Sequence, residues 1–496
     1  MDIQTNLFDF LYDNYKITKP IRLIECFAGY GSQALSLKYL GVDFEHHKIC
    51  EWATKSIQAY KDVHFENDNN DYSKDLTKDQ VIEYLYQKGI SMNYNQPMSL
   101  EQIKRKGEEW QRVTYNNIIA TNNLVNISQV NGKDLEITDT DKYDYILTYS
   151  FPCQDLSLAG KRAGMEKDSG TRSGLLWEVE RILEECKELG TLPQILLMEN
   201  VPEVVGTNNI EHFKKWREKL EQLGYSNYDQ ILNAKDYGIP QNRRRCFMVS
   251  ILGEYNYTFP QEFPLKLKLK DMLEDDVDEK YYLSQKMIKY ISNNNEKWTG
   301  NNNQSLINKS IASTLNTGEG SKRCDASNYV CKELLDNFDL KSINKALVET
   351  LETNDLVEYQ FIDSYNRNIR KDNICGTITT RIDASNNTFI SIPAVKIIGG
   401  LFDKDGKTHQ AGSVYDSGGL SPTLDTANGG YRQPCVVVKQ QLRIRKLTPR
   451  ECGRLMGVSD DDITKMSQKQ SDASLYHLAG DSIVVDVLMA IFKQLL

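Results

Sequence analysis

The sequence predicts an α/β fold: a strand–helix layered domain at the amino end, a smaller β-rich domain after residue 262, and a return to helical texture over the last fifty residues. Three observations lead there. Over 1–262, short apolar runs alternate with amphipathic stretches that stop at glycine, the signature of a sheet covered by helices. After 262, Asn/Gly-rich segments such as SNNNEKWTGNNNQ (292–304) separate short Thr-rich runs, which favours strands and turns. The last residues regain helical texture and end in the apolar stretch 482–496.

The elements follow in order. IRLIECF (21–27) is a strand ending in a glycine turn, and QALSLKYL (33–40) is a helix stopped at Gly41. DFEHHKIC (43–50) is a second strand. The polar, acidic stretch between Trp52 and Asp134 reads as an insertion (about 60–130) outside the sheet, with helix near 79–88 and 99–111 and the character of a surface elaboration. Strands at 143–151, 194–201 and 246–252 alternate with helices at 174–190 and 210–225, which predicts a parallel sheet. Ligands of such sheets bind beyond the carboxyl ends of the strands. In the β-rich part, 263–441, the units IASTLNT (311–317), ICGTITT (374–380) and LSPTLDT (420–426) form a weak repeat, each followed by a polar loop. The segment 333–358 reads as helical.

Composition narrows the classes. The chain has 496 residues, 40 % of them hydrophobic and 26 % charged, with a formal net charge of −9. That excludes a disordered chain, a collagen and a coiled coil. No apolar run reaches bilayer length and no signal-type segment opens the chain, so a cytoplasmic protein is expected. None of the 10 cysteines forms a Cys-x-x-Cys pair, so no metal site is expected and most should be buried, reduced thiols. Local basic surface can bind nucleic acid whatever the total charge. The stretch 439–454, with Lys439, Arg443, Arg445, Lys446, Arg450 and Arg454, is a candidate, as is Arg243–Arg245.

Four short motifs carry chemistry. FAGYG (27–31) sits between strand and helix, where glycine lets a ligand approach the backbone. Glu51 and Trp52 follow about 20 residues later, the position of a ribose-binding acid. Ser32 and Gln33 stand where a dinucleotide enzyme needs its third glycine, which disfavours a nicotinamide oxidoreductase and a pyrophosphate cofactor. SFPCQDLS (150–157) places Cys153 beyond a strand end; a cysteine nucleophile needs help to become a thiolate. MENV (198–201) puts Glu199 in an apolar strand, and PQNRRR (240–245) supplies arginines able to grip a base edge together with a carboxylate.

In this order, with RKLTPRECGRLMG (445–457) after a variable region, these motifs resemble the DNA (cytosine-5) methyltransferases over about 21–262 and 442–496. TYSFPCQDLS (148–157) with SGTRSGLLWE (169–178) is similar to bacterial or phage members, including CpG-methylating ones. The resemblance implies a Rossmann-like S-adenosylmethionine-dependent domain, 1–262, a target-recognition domain at 263–441, and a carboxyl-terminal segment, 442–496, that completes the first domain. It implies Cys153 as nucleophile, Glu199 and Arg245 holding the target cytosine, and Gln241 and Arg243 bracing the catalytic loop and nearby phosphate. It implies a cofactor site of Phe27, Ala28, Gly29, Gly31, Glu51 (ribose), Trp52 (adenine), Asp134 and Leu135 (adenine amino edge), Ser150, Pro152, Leu175, Asp481 and Ile483. Residues 159–172 would form a mobile loop closing on DNA. Gln154, Ser157, Lys161, Arg162 and Arg172 would touch DNA, as would at least one of Arg323, Arg381 and Arg432 in the recognition loops. The implied partner is double-stranded DNA, with a cognate restriction endonuclease as genetic companion, no membrane, a monomeric state and a nucleoid location. LAGDSIVV (478–485) departs from the family's usual Gly-Asn by placing Asp481, a charge, beside the cofactor.

A tRNA cytosine methyltransferase shares the catalytic motifs, but its relatives have little in the variable region that is long here. A non-catalytic DNA-binding protein is disfavoured by the intact Cys153, Glu199 and Arg245. No Asn/Asp/Ser-Pro-Pro-aromatic motif of an amino-group methyltransferase occurs.

Overall fold

A computed structural model describes residues 13–152, 172–281 and 443–496, with the backbone of short strands between 361 and 438. The chain divides into two compact units: 1–239, 243–265 and 456–496 form the first, 240–242 and 266–455 the second.

In the first unit, six strands form one sheet: β1 Ile21–Cys26, β2 Phe44–Cys50, β3 Asp144–Tyr149, β4 Ile195–Asn200, β5 Tyr225–Asn233 and β7 Arg244–Leu252. Their order is β2-β1-β3-β4-β7-β5. The first four are parallel. The expected all-parallel sheet is corrected at its far edge, where β7 runs antiparallel to both β4 and β5. The sequence predicts no strand at β5, because YSNYDQILN contains no apolar run. β3 and β4 are buried throughout, as strands covered on both faces must be.

Helices cover the faces. α6 (Leu176–Leu189) and α7 (Ile210–Leu223) lay Val179, Leu183, Phe213, Trp216 and Leu220 into one apolar core with Leu147, Leu196 and Met248. The buried Trp216 indole keeps its hydrogen bond by donating to Tyr149 Oη, 3.1 Å away. α1 (Ser32–Tyr39) packs with α11 (Val485–Leu495). α9 (Asp460–Ser467) and α10 (Asp472–Asp481) complete the unit. One stretch, Asp472–Leu495, is long and apolar enough to cross a membrane by length and composition, which corrects the expectation of no such run. It is interrupted at Ser482–Val484 between α10 and α11 and is mostly buried in this unit.

The insertion is helical, as expected, and has its own core. α2 (Thr54–His64) leads into α3 (Lys78–Lys88), α4 (Leu100–Lys104) and α5 (Glu108–Ala120). Capping boxes at Thr77/Gln80 and Ser99/Gln102 fix the starts of α3 and α4. Ile57, Val81, Leu85, Ile103 and Ile118 close a cluster against which Trp52 packs. The five described cysteines with placed side chains, Cys26, Cys50, Cys186, Cys246 and Cys452, are buried free thiols.

The second unit contains a three-stranded antiparallel sheet (β8 Phe361–Asp363, β9 Asn368–Ile369, β10 Thr388–Ile390). A four-stranded sheet follows, β11 Ile397–Gly400, β12 Ser413–Tyr415, β14 Cys435–Val438 and β15 Arg443–Lys446, with β11 beside β12 and β14 beside β15. β13 (Ser421–Pro422), from the third Thr-rich unit, pairs with β6 (Gln241–Asn242). The other two Thr-rich units and 333–358 lie outside the described residues. In α8 (Pro449–Arg454) two of the basic residues are spent on structure. Arg450 Nε lies 3.4 Å from Glu274, and Arg454 donates to the carbonyls of Met272 and Leu273.

Candidate active site

In the first unit, a cleft of about 430 Å³ opens where the carboxyl ends of β1, β3 and β4 meet the segment before α11. That volume suits a cofactor or drug-sized ligand.

The glycine turn forms its floor. Phe27 (φ 60°) and Gly29 (φ 58°) take left-handed backbone, and Phe27 N–H donates to Cys50 O at 2.8 Å. A left-handed aromatic residue is strained by about 1–2 kcal/mol, and the sheet bond holds it there. Gly31 (φ 82°) needs to be glycine for a second reason: a Cβ would lie 2.5 Å from His64 Nε2 and 2.6 Å from the Tyr60 ring. Beneath the turn, Glu25 is fully buried; Tyr60 Oη donates to it at 2.6 Å and Ala34 N–H at 3.2 Å. Burial raises the Glu25 carboxyl to about 7 despite those bonds.

Glu51 is held by two backbone donors, Gly29 N–H to Oε2 (2.9 Å) and Ala53 N–H to Oε1 (2.7 Å). It too is raised to about 7, first by burial and further by the nearby Asp481 charge. Each carboxylate oxygen has a second lone pair, so a ribose hydroxyl can still be accepted. Trp52, Leu175, Ser150, Pro152, Ala28 and Ile483 line the same cleft.

On the opposite side stand Glu199 and Arg245. Glu199 ends β4 and Arg245 opens β7, the strand antiparallel to it, so the ladder brings them together with Arg245 Nε 3.0 Å from Glu199 Oε1. Burial raises the Glu199 carboxyl while Arg245 and Arg243 oppose that rise. Asn200 Nδ2 donates to Phe151 O at 3.0 Å and ties the end of β3 to the end of β4. Cys153 lies outside the described residues, which stop at Pro152.

Several expectations change. Asp134 and Leu135 do not line the cleft. Asp134 accepts from Asn131 N–H at 2.9 Å inside a 3₁₀ turn, and Leu135 is fully buried in the core. Val125, Asn126, Ile127 and Ser128 take that wall instead, at the end of a chain bridged to β2 through Ile49 and Asn123. The signal was present in the Asn-x-Ser spacing of Asn126 and Ser128: the Asn126 side chain accepts from Ser128 N–H and fixes the turn. Arg243 has a role among the described residues besides the expected bracing of the catalytic loop, which lies outside them. It is buried and donates to Gly480 O (2.9 Å) and Ser482 O (2.7 Å), so it holds the loop that carries Asp481. Gln241, in the second unit, is fully buried and donates to Leu455 O at 2.7 Å. Asp481 does line the cleft, 3.1 Å from His477 Nε2. The insertion is more than a surface elaboration, since its Tyr94, Asn95 and Pro97 form part of the wall together with Ser56 of α2. Sequence reasoning missed these four residues together with His477.

Gln154, Ser157, Lys161, Arg162, Arg323, Arg381 and Arg432 lie outside the described residues. Arg172 is placed by backbone alone, in the short turn before α6.

A family model for C-5 cytosine-specific DNA methylases matches residues 88–496. The type II methyltransferase M2.ScrFI of Lactococcus lactis subsp. cremoris is 31 % identical over 481 residues, covering 96 % of this chain and 99 % of its own. The orphan methyltransferase M.SssI of Spiroplasma monobiae is 38 % identical over 278 residues, 55 % of this chain and 69 % of its own. Among solved structures, the Dnmt2 methyltransferase of S. pombe aligns with a TM-score of 0.49 at 13 % identity, over 96 % of this chain and 97 % of its own.

Proposed function

The chain belongs to the C-5 cytosine-specific DNA methylases, and from that premise we propose how its own residues divide the reaction. The protein is a DNA (cytosine-5) methyltransferase with a Rossmann-like fold, and it uses S-adenosylmethionine. The cleft suits that cofactor: strained glycine turn, backbone-held Glu51, apolar Trp52, Ile127 and Leu175. Phe27, Ala28, Gly29, Glu51, Trp52, Ser150, Pro152, Leu175, Asp481 and Ile483 hold it, joined by Asn126 and Ile127.

Carbon-5 of cytosine is a weak nucleophile buried in the base stack, so the nucleotide must be turned out at a cost of a few kcal/mol. Cys153 thiolate adds to carbon-6 and breaks the ring's aromaticity. Glu199, whose burial favours the protonated carboxyl, gives a proton or hydrogen bond to ring nitrogen 3 and absorbs the negative charge that develops. Arg245 fixes the Glu199 carboxyl and offers N–H donors to the base edge. The cofactor, when bound, supplies an electrophilic methyl on a sulfonium for the electron pair so created at carbon-5. Loss of the carbon-5 proton to water then returns electrons to the ring, and the carbon-6–sulfur bond breaks with its electron pair leaving on sulfur, which releases Cys153 as thiolate.

The observation that carries this assignment is the Glu199–Arg245 pair in the wall of the cleft that also holds Glu51. The DNA-facing assignments (Gln154, Ser157, Lys161, Arg162, Arg172, with Arg323, Arg381 and Arg432) and a target-recognition role for the second unit are part of the same reading. So are a monomer acting on duplex DNA at the nucleoid and a companion restriction endonuclease. Bisulfite sequencing of DNA from cells expressing the protein gives base and site together. Duplex carrying 5-fluorocytosine at that site should trap a covalent complex with the wild type and none with Cys153→Ala, which should still bind the cofactor. A trapped complex with the variant would end the assignment of Cys153.

A further inference from the structure

The helical insertion reaches the cleft through the loop between α3 and α4, and that loop is built with care. Asn93 Oδ1 accepts from the backbone of Asn95 at 3.0 Å and of Gln96 at 3.3 Å, and Ser91 Oγ donates to Gln96 O at 2.8 Å. Two backbone bonds, Ser91 N–H to Trp52 O (2.7 Å) and Thr54 N–H to Ser91 O (2.9 Å), tie it to the chain just beyond Glu51. The product of this wiring is the placement of one side chain. Tyr94 has left-handed backbone at φ 60°. Its hydroxyl is 3.3 Å from Ser56 Oγ, and its ring centroid lies 4.1 Å from that of His477, which stands 3.1 Å from Asp481. Tyr94 lines the cleft with Glu51 and Asp481.

We propose that Tyr94 contacts the bound methyl donor between Glu51 and Asp481, so that the insertion is a working part of the S-adenosylmethionine site. This rests on the reading of the cleft as the cofactor site. The chemistry suits the occupant. The donor carries a sulfonium and an ammonium, and an aromatic face flanked by two carboxylates attracts such a cation. Both carboxylates act on the phenol: after burial, the charges of Glu51 and Asp481 are what push its proton loss upward. The ring therefore stays neutral and presents a π face.

The test is calorimetric titration of the full chain with S-adenosylmethionine and with S-adenosylhomocysteine, alongside hydrogen exchange of amides 91–98. Tyr94→Ala should weaken binding tenfold or more, while Tyr94→Phe, which keeps the ring, should stay within about threefold of wild type. In the wild type, S-adenosylhomocysteine should slow exchange across 91–98, a readout that needs no variant. Affinity of Tyr94→Ala within twofold of wild type, or exchange in that loop indifferent to ligand, overturns the proposal. A wild-type chain that binds neither ligand would instead remove the cofactor reading itself.

Discussion

Replacing Gly31 by alanine adds one methyl group at the point where the glycine turn enters α1, and the structure gives its cost. The residue sits at φ 82°, where an L side chain costs about 1–2 kcal/mol. The new Cβ would lie 2.5 Å from His64 Nε2 and 2.6 Å from the Tyr60 ring. Neither neighbour can withdraw freely. Tyr60 is fully buried and bonded to Glu25 and His46, and His64 Nε2 is bonded to Tyr30 O at 3.0 Å. Overpacking of that kind costs about 1–3 kcal/mol. The expected loss is therefore about 2–5 kcal/mol, a large share of the ~5–15 kcal/mol typical of a folded domain. Urea unfolding of the apoprotein should show this loss as a lower midpoint at unchanged slope. A cycle with His64→Ala should recover at least ~1 kcal/mol of coupling, because the two positions share the clash. A loss below about 1 kcal/mol with no coupling to His64 would refute the argument from close approach.

Three more outcomes follow from the same geometry. Glu25 has a folded-state value of about 7 against an ordinary 4.5, so its proton stabilises the fold fully below pH 4.5 and that contribution is lost as pH rises through 7; unfolding of Glu25→Gln against wild type from pH 5 to 8 should show the variant gaining roughly 2.5 kcal/mol in relative stability. Arg243→Ala leaves the Gly480 and Ser482 carbonyls without their buried donor and should cost about 2–4 kcal/mol, with weaker cofactor binding by calorimetry, and Arg243→Lys should restore less than half because a single ammonium cannot match the guanidinium's planar fork of donors. Asn200→Ala cuts the tie between β3 and β4 and should lower kcat about ten- to a hundred-fold in methyl-transfer assays with little change in cofactor affinity.

Much of the sheet could be read from the sequence because its central strands are short apolar runs punctuated by glycine. β1, β3, β4, α6 and α7 all begin and end within a few residues of those patterns. β5 escaped because Tyr225–Asn233, at the sheet's edge and mostly half-buried, carries neither an apolar run nor a regular alternation. The direction of its partner was unreadable for a different reason: apolar content shows that β7 is a strand, and nothing in it states direction. Within the site, Glu51 could be read from its spacing to the glycine turn, and Glu199 from the oddity of an acid in an apolar strand. Asp134 misled because the resemblance assigned it by motif order alone, whereas its carboxylate closes a local turn on Asn131. Tyr94 and His477 were unreadable in principle. They are 383 positions apart in the chain, and only packing of the insertion's small core brings their rings together.

The reversed strand β7 has one further consequence. Glu199 pairs with Phe247 across the ladder, so the distance to Arg245 is set by register. Because side chains alternate faces along a strand, a slip of one position would throw the guanidinium to the other side of the sheet. Length changes in the surrounding loops do not alter that count. Evolution can thus exchange or resize whole stretches of chain on either side of β7 while the acid and its arginine stay in step, like two teeth held by the same gear.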